Sequence, residues 1–210
     1  MPARHFAALA ITTALAACAT GSFVHIPAPP PAKVDTTLTV QRPREHVFDD
    51  IAAALARGLF TISAMDRQSG IITVTFADDP RTHINCGTFS VSASHALSSN
   101  NNSRTIDAAS PREQYYLAAP AGIVEVNRLM ALEGRANIVI QNRGNATAVT
   151  VSARYAVTRT ATIIDAAGRR NYFNETVGAN TGGHLQFNEP PLRCELLGTV
   201  EKLALKAAAD

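Results

Sequence analysis

Residues 137–158 read NIVIQNRGNATAVTVSARYAVT and carry the most regular pattern in the chain. From Val149 to Val157 every second residue is apolar, and the residues between them are largely hydrophilic. This alternation predicts a β-strand with one buried face. Ile138 and Ile140 end a preceding strand, and residues 142–145 have the composition of a turn. The sequence therefore predicts a long β-hairpin over residues about 127 to 163.

The region before this hairpin predicts a strand, a helix and three further strands. Alternation beginning near Asp35 predicts the first strand, and apolar residues at every fourth position predict a helix that Pro43 opens and Gly58 closes. A hairpin is predicted around the turn at residues 66–70, and a third strand is predicted after residue 86. The folded region is therefore expected to begin near Asp35.

The segment of residues 94–120 is polar and irregular, with the run SSNNNS at residues 98–103. Such a run predicts a long mobile loop. Tyr115 and Tyr116 lie in its second half and are the candidate residues for contact with a partner. The alternative, in which both tyrosines pack the loop back onto the sheet, stays equally open.

The last part of the chain predicts a strand at about residues 172 to 177 and a C-terminal helix after Pro190 and Pro191. The apolar residues of this helix share one stripe: Leu196, Leu197, Val200, Leu203, Ala204 and Ala207. The order of elements predicts an α+β two-layer sandwich, in which an antiparallel sheet carries the N-terminal and the C-terminal helix on one face. The other face is expected to meet solvent.

The first 17 residues have the order of a secretory signal peptide, with a basic lead, a short apolar run and small residues before a cysteine. The apolar run is too short to span a bilayer as a permanent helix. The run LAAC at residues 15–18 resembles the lipobox of bacterial lipoproteins. This resemblance implies cleavage before Cys18, acylation of that cysteine, and a lipid-anchored protein on the periplasmic face of the outer membrane.

The segment after Cys18 is rich in proline, with four prolines between residues 27 and 31. Proline excludes a helix or a central strand there. We therefore expect residues 18–34 to comprise the lipidated cysteine and a Pro-rich tether, followed by a single domain of residues 35–210.

Two cysteines remain once Cys18 is assigned to the lipid. In an exported protein, the even pair of Cys86 and Cys194 favours a disulfide. Two alternatives stay open, namely two buried thiols and a zinc site in which His83 and His184 join the cysteines. The spacing His-x-x-Cys is only half of a zinc motif.

The order of the elements, the lipobox and the run DRQSGIITVTF at residues 66–76 together resemble BamC-like helix-grip envelope lipoproteins. The resemblance implies a helix-grip fold and a role in a larger envelope assembly. BamC itself carries two such domains, whereas this chain has room for one.

The sequence offers little support for catalysis. With 19 Lys and Arg against 17 Asp and Glu, the formal net charge is +2, which does not indicate nucleic acid as a partner. The chain contains no nucleophile elbow, no HExxH motif and no glycine-rich phosphate loop. Cys86 with His83 or His95 as its base is a weaker hypothesis than the disulfide. We expect no catalytic residue, metal or cofactor.

Two functions follow from these observations. The first is a lipid-anchored, non-catalytic binding or assembly module of the cell envelope, with an envelope protein as its partner. The alternative is a periplasmic carrier that holds a lipid or another hydrophobic ligand between the sheet and the helices. Residues expected to line such a pocket are Val149, Val151, Tyr155 and Leu203.

Overall fold

The computed structural model describes residues 19–58, 60–95, 102–120, 122–188 and 191–210. These residues form 13 strands and three helices. The strands are β1 (Ala19–Ile26), β2 (Thr37–Val40), β3 (Thr61–Asp66), β4 (Ile71–Asp78), β5 (Ile84–Asn85), β6 (Thr88–His95), β7 (Asn102–Asp107), β8 (Arg112–Ala119), β9 (Gly122–Arg143), β10 (Ala146–Ile164), β11 (Arg170–Asn180), β12 (His184–Asn188) and β13 (Pro191–Leu196). The helices are α1 (Arg44–Arg57), α2 (Pro80–His83) and α3 (Thr199–Ala209).

The centre of the fold is the hairpin of β9 and β10, as residues 137–158 predict. Its two strands are 22 and 19 residues long and pair antiparallel along their length. The turn holds Gly144 at a φ of 64°, a left-handed conformation that glycine adopts without a steric penalty. The predicted hairpin is confirmed and is slightly longer than expected.

The two ends of this hairpin have different neighbours. Near the turn, β4 pairs with β9, β3 pairs with β4, and β2 pairs with β10. Toward the other end, β8 pairs with β9 and β11 pairs with β10. All these pairs are antiparallel and together form one seven-stranded sheet. The helix α1 and the hairpin of β3 and β4 also match the sequence expectations.

One face of the seven-stranded sheet is buried, and we call it the inner face. Even-numbered residues of β9 and odd-numbered residues of β10 lie on this face, because successive side chains of a strand point to opposite sides. Most of these residues are buried, whereas those between them are mostly exposed or half-buried. The opposite side is called the outer face.

Three parts of the molecule cover successive regions of the inner face, beginning near the hairpin turn. Tyr155 of β10 donates a hydrogen bond to Glu201 of α3, and α1 packs beside α3. Four residues farther along β10, the Arg159 guanidinium lies over the ring of Phe187 in β12. At the end remote from the turn, β1 and β6 contact β8. The inner face is thus covered by helices, by the sheet β12-β13-β5 and by the sheet β1-β6-β7.

The predicted two-layer sandwich with two helices on one face is therefore wrong. The described residues form a mostly β fold with three antiparallel sheets and three helices. The reason is length: the 22 residues of β9 span about 70 Å when extended. The 14 residues of α1 span only about 21 Å. Two helices cannot cover so long a face, and two small sheets cover the rest.

Three segments predicted to lack strands contain them. One is the predicted start of the C-terminal helix, where Pro191–Leu196 form β13 and α3 begins only at Thr199. Residues 19–26, assigned to the tether, form β1 and pair with β6, whereas residues 27–36 have no regular structure. The predicted loop of residues 94–120 contains β7 and β8, and residues 96–101 lie outside the described residues. β1 and β7 are rich in Asn, Ser, Thr and Gly, most of which local propensity assigns to turns. Their partners lie in other strands, which local patterns do not reveal.

No helix in the described part of the chain is long and apolar enough to cross a bilayer. The predicted signal peptide and Cys18 lie outside the described residues.

Candidate functional site: a cavity between two sheets

A cavity of about 660 Å³ lies between the inner face of the seven-stranded sheet and the sheet β1-β6-β7. Its volume falls within the range of about 300–1,000 Å³ that is typical of small-molecule sites. It lies at the end of the hairpin remote from the turn, where β8 and β11 flank β9 and β10. The lining residues are Phe23, Phe89, Tyr115, Leu117, Val126, Arg128, Arg159, Ala161, Ile163, Phe173, Asn174, Glu175 and Asn188.

The wall of the cavity is mainly apolar, because adjacent strands place apolar residues in register on the inner face. Tyr115 of β8 pairs with Val126 of β9, and Val126 pairs with Ile163 of β10. From the opposite sheet, the rings of Phe23 and Phe89 lie with their centroids 4.9 Å apart. Such a wall favours contact with hydrocarbon over contact with water.

Arg128 brings a positive charge to this wall, although its side chain is only 3% exposed. Its Nη1 donates to the backbone oxygen of Ala108 at 2.6 Å, and its Nη2 donates to that of Asp107 at 3.3 Å. Its Nε has no hydrogen-bond acceptor among the described residues. Burial lowers the pKa of Arg128, because the charged form loses its hydration.

Arg159 also lines the cavity, but a carboxylate balances its charge. Its Nη2 donates to Oε2 of Glu175 at 3.0 Å. The backbone and side-chain nitrogens of Asn188 each donate to Oε1 of Glu175 at 2.9 Å. Partial burial opposes ionisation of Glu175, yet these donors lower its pKa. Arg159 and Glu175 thus form a neutral pair, in contrast to Arg128.

The two tyrosines that the sequence groups together lie on opposite sides of the sheet. Tyr115 is 9% exposed and lines the cavity, whereas Tyr116 is 39% exposed on the outer face. Burial raises the pKa of Tyr115. The alternation of β8 explains the separation, because neighbouring residues in a strand cannot share a face.

The residues expected to line a carrier pocket do not line this cavity. Val149, Val151 and Tyr155 are at most 1% exposed and belong to the packed core, and Leu203 packs against it. They lie where the helices cover the inner face, and the cavity lies farther along the same face. These four residues therefore belong to the packing between the sheet and the helices and not to the wall of the cavity.

The sulfur atoms of Cys86 and Cys194 lie 2.00 Å apart, at bonding distance, in agreement with the predicted pair. Cys194 belongs to β13 and Cys86 lies between β5 and β6, so this bond does not hold the first turn of α3. A bonded sulfur is not a nucleophile, which removes Cys86 as the centre of a thiolate site. In the described ranges, no group of three or more His, Cys, Asp or Glu side chains is placed to hold a metal.

His83 belongs to a buried polar cluster beside α3 and does not line the cavity. Its Nδ1 lies 2.5 Å from Oγ1 of Thr199, and its Nε2 lies 3.4 Å from Oδ2 of Asp78. Burial lowers the pKa of His83, although Asp78 and Glu201 oppose this change. The cluster holds the start of α3 against the end of β4.

The sequence reasoning missed Arg128 and Arg159 as site residues. The alternation of each strand does indicate their position. Arg128 comes two residues after Val126, and Arg159 comes two residues after Val157, so each arginine shares the face of an apolar residue. Extending each apolar phase through the arginine would have placed both side chains on the inner face.

No family model matches this chain, and no curated protein or solved structure is significantly similar to it.

Proposed function

We propose that this protein binds a hydrophobic ligand, such as a lipid, in the cavity between the seven-stranded sheet and the sheet β1-β6-β7. The observation that carries the proposal is the mainly apolar wall of this cavity of about 660 Å³. The proposed activity is binding and carriage and requires no catalytic residue.

The lining of the cavity, and not its volume, supports this proposal. Two pockets of similar volume on the outer face are lined mainly by polar, charged and small side chains. Apolar surface that stays in contact with water is unfavourable by about 25 cal/mol for each Å². A hydrocarbon ligand would remove the aromatic and branched side chains of the wall from water.

The position of β1 connects the cavity to the proposed lipid anchor. We infer that the protein is an envelope lipoprotein of the outer membrane, acylated at Cys18, which directly precedes β1. Phe23 of β1 lines the cavity, and five extended residues span about 17 Å. An anchored Cys18 would hold the cavity close to a membrane that supplies lipid. Replacement of Cys18 by Ser should release the protein from the membrane fraction, and unchanged membrane association would contradict the anchor.

Photolabelling of the full-length protein in its membrane tests the ligand site. A photoactivatable analogue of hexadecanol should label peptides of β8 to β11 that line the cavity. The variant Ala161→Phe places a ring in the cavity and should reduce this labelling at least tenfold. Thr160→Phe is the matched control, because the adjacent residue lies on the outer face, and its labelling should equal that of the wild type. Equal labelling of both variants would contradict the proposal.

A further inference from the structure

The cavity contains one cation, Arg128, that forms no ion pair among the described residues. The carboxylates of Asp107 and Glu113 act on it only from beyond ion-pair distance, and Glu113 pairs with Arg104. Arg159 is paired with Glu175, whereas Arg128 donates only to the neutral backbone oxygens of Asp107 and Ala108. Among the described residues, no carboxylate forms an ion pair with Arg128, and its Nε has no acceptor.

This arrangement is unusual for a buried cation. Buried charges in proteins are normally paired with an opposite charge, because an isolated ion in a medium of low dielectric constant is strongly unfavourable. Backbone oxygens supply dipoles but no compensating charge. The Phe89 ring, whose centroid is 5.6 Å from Cζ of Arg128, adds a further favourable contact but also no net charge.

We propose that the ligand is an amphiphile with a single anionic head, of the fatty-acid class, whose head lies beside the Arg128 guanidinium. This inference rests on the proposed function, since it names the class of ligand that the cavity takes. One negative charge balances the one unpaired cation, and a planar carboxylate matches the geometry of a guanidinium. The hydrocarbon chain lies along the apolar wall formed by Val126, Ile163 and Phe173.

The experiment compares three ligands that share a chain and differ in the charge of the head. The full-length protein is extracted in mild detergent, incubated with equal concentrations of hexadecanoic acid, 1-hexadecanol or hexadecylamine, and analysed by native mass spectrometry. We expect hexadecanoate to bind at least tenfold more tightly than hexadecanol, and hexadecylamine to bind most weakly. A charge-assisted hydrogen bond in a buried site supports a preference of this size.

Variants of Arg128 test whether this side chain sets the preference. Arg128→Met should lose the preference for hexadecanoate while it still binds hexadecanol, and Arg128→Lys should retain the preference because it keeps the charge. Arg154→Met is the matched control, because Arg154 is an exposed arginine on the outer face of the adjacent strand. If Arg128→Met fails to fold after losing its bonds to Asp107 and Ala108, the three-ligand comparison on the wild type decides the question.

The outcomes separate this inference from the proposed function. Equal binding of hexadecanoate and hexadecanol by the wild type would overturn the anionic head and leave the hydrophobic site intact. A preference that survives in Arg128→Met would also overturn the inference. Binding of none of the three ligands would overturn the proposed function and this inference with it.

Discussion

His83 makes the stability of this protein depend on pH between neutral and mildly acidic conditions. Burial lowers its pKa in the folded state below the value of about 6.5 found in an unfolded chain. As the pH falls through 6.5, the unfolded state therefore binds more protons than the folded state does. The free energy of unfolding should decrease there by at most about 1.4 kcal/mol for each pH unit, and the decrease should end below the folded pKa.

Urea unfolding at pH 7.5 and pH 5.5 measures this effect. The difference in unfolding free energy between the two pH values should be smaller in His83→Gln than in the wild type. His46→Gln is the matched control, because His46 is exposed on α1. Carboxylates that titrate at lower pH change the unfolding free energy equally in the wild type and in both variants. Equal pH dependence of the wild type and His83→Gln would contradict the assignment.

The buried arginines mark a limit of sequence reasoning at the scale of single residues. Arginine is rarely fully buried, so a charged residue within an alternating strand is assigned to the exposed face. Arg128 and Arg159 break this rule, being 3% and 6% exposed. The face of β9 or β10 on which each arginine lies could be predicted from the sequence. Their burial could not, since it depends on Phe89 and Phe187, which distant strands place above them.

A buried carboxylate of α3 contributes to the attachment of this helix to the sheet. Glu201 is 0% exposed and accepts hydrogen bonds from Tyr155 at 2.7 Å and from Thr181 at 2.6 Å. Glu201→Ala leaves both donors without this acceptor and should lower the free energy of unfolding by about 1–3 kcal/mol. Lys202→Ala, at the exposed neighbouring position, should change it by less than about 0.5 kcal/mol. Equal effects of the two substitutions in urea unfolding would contradict this role.

Elements with a strong internal pattern could be predicted, and elements without one could not. The hairpin of β9 and β10 has a strict period of two, and α1 has apolar residues at every fourth position, so both are confirmed. In contrast, β1 (ATGSFVHI) and β7 (NSRTID) carry small and polar residues. Both pair with β6, and such pairing depends on segments distant in sequence. The cavity was missed for the same reason, because the sheet β1-β6-β7 forms one of its walls.

The Cys86–Cys194 pair constrains the whole molecule, because 108 positions of sequence separate the two residues. A disulfide that closes a loop of this size stabilises a protein by about 2–5 kcal/mol, chiefly through the unfolded state. Reduction should therefore lower the urea midpoint of the wild type. The double variant Cys86→Ser and Cys194→Ser should have a low midpoint that reductant does not change. An equal midpoint of the wild type with and without reductant would contradict the bond.

At the scale of the whole molecule, one long buried sheet face explains the fold and the cavity together. Helices cover the part near the hairpin turn, and small sheets cover the rest. The sequence predicted the two long helices and the central hairpin, but it did not predict the two small sheets. The remaining face was therefore unassigned, and it is this part that holds the cavity.

Native mass spectrometry of the full-length protein, extracted in mild detergent from the cells that produce it, is the most direct test of ligand binding. We expect one lipid per protein in addition to any acyl groups on Cys18. Ala161→Phe should lose this extra mass, and Thr160→Phe should retain it. A wild-type protein that carries no mass beyond its own chain and any acyl groups would contradict a ligand-binding cavity.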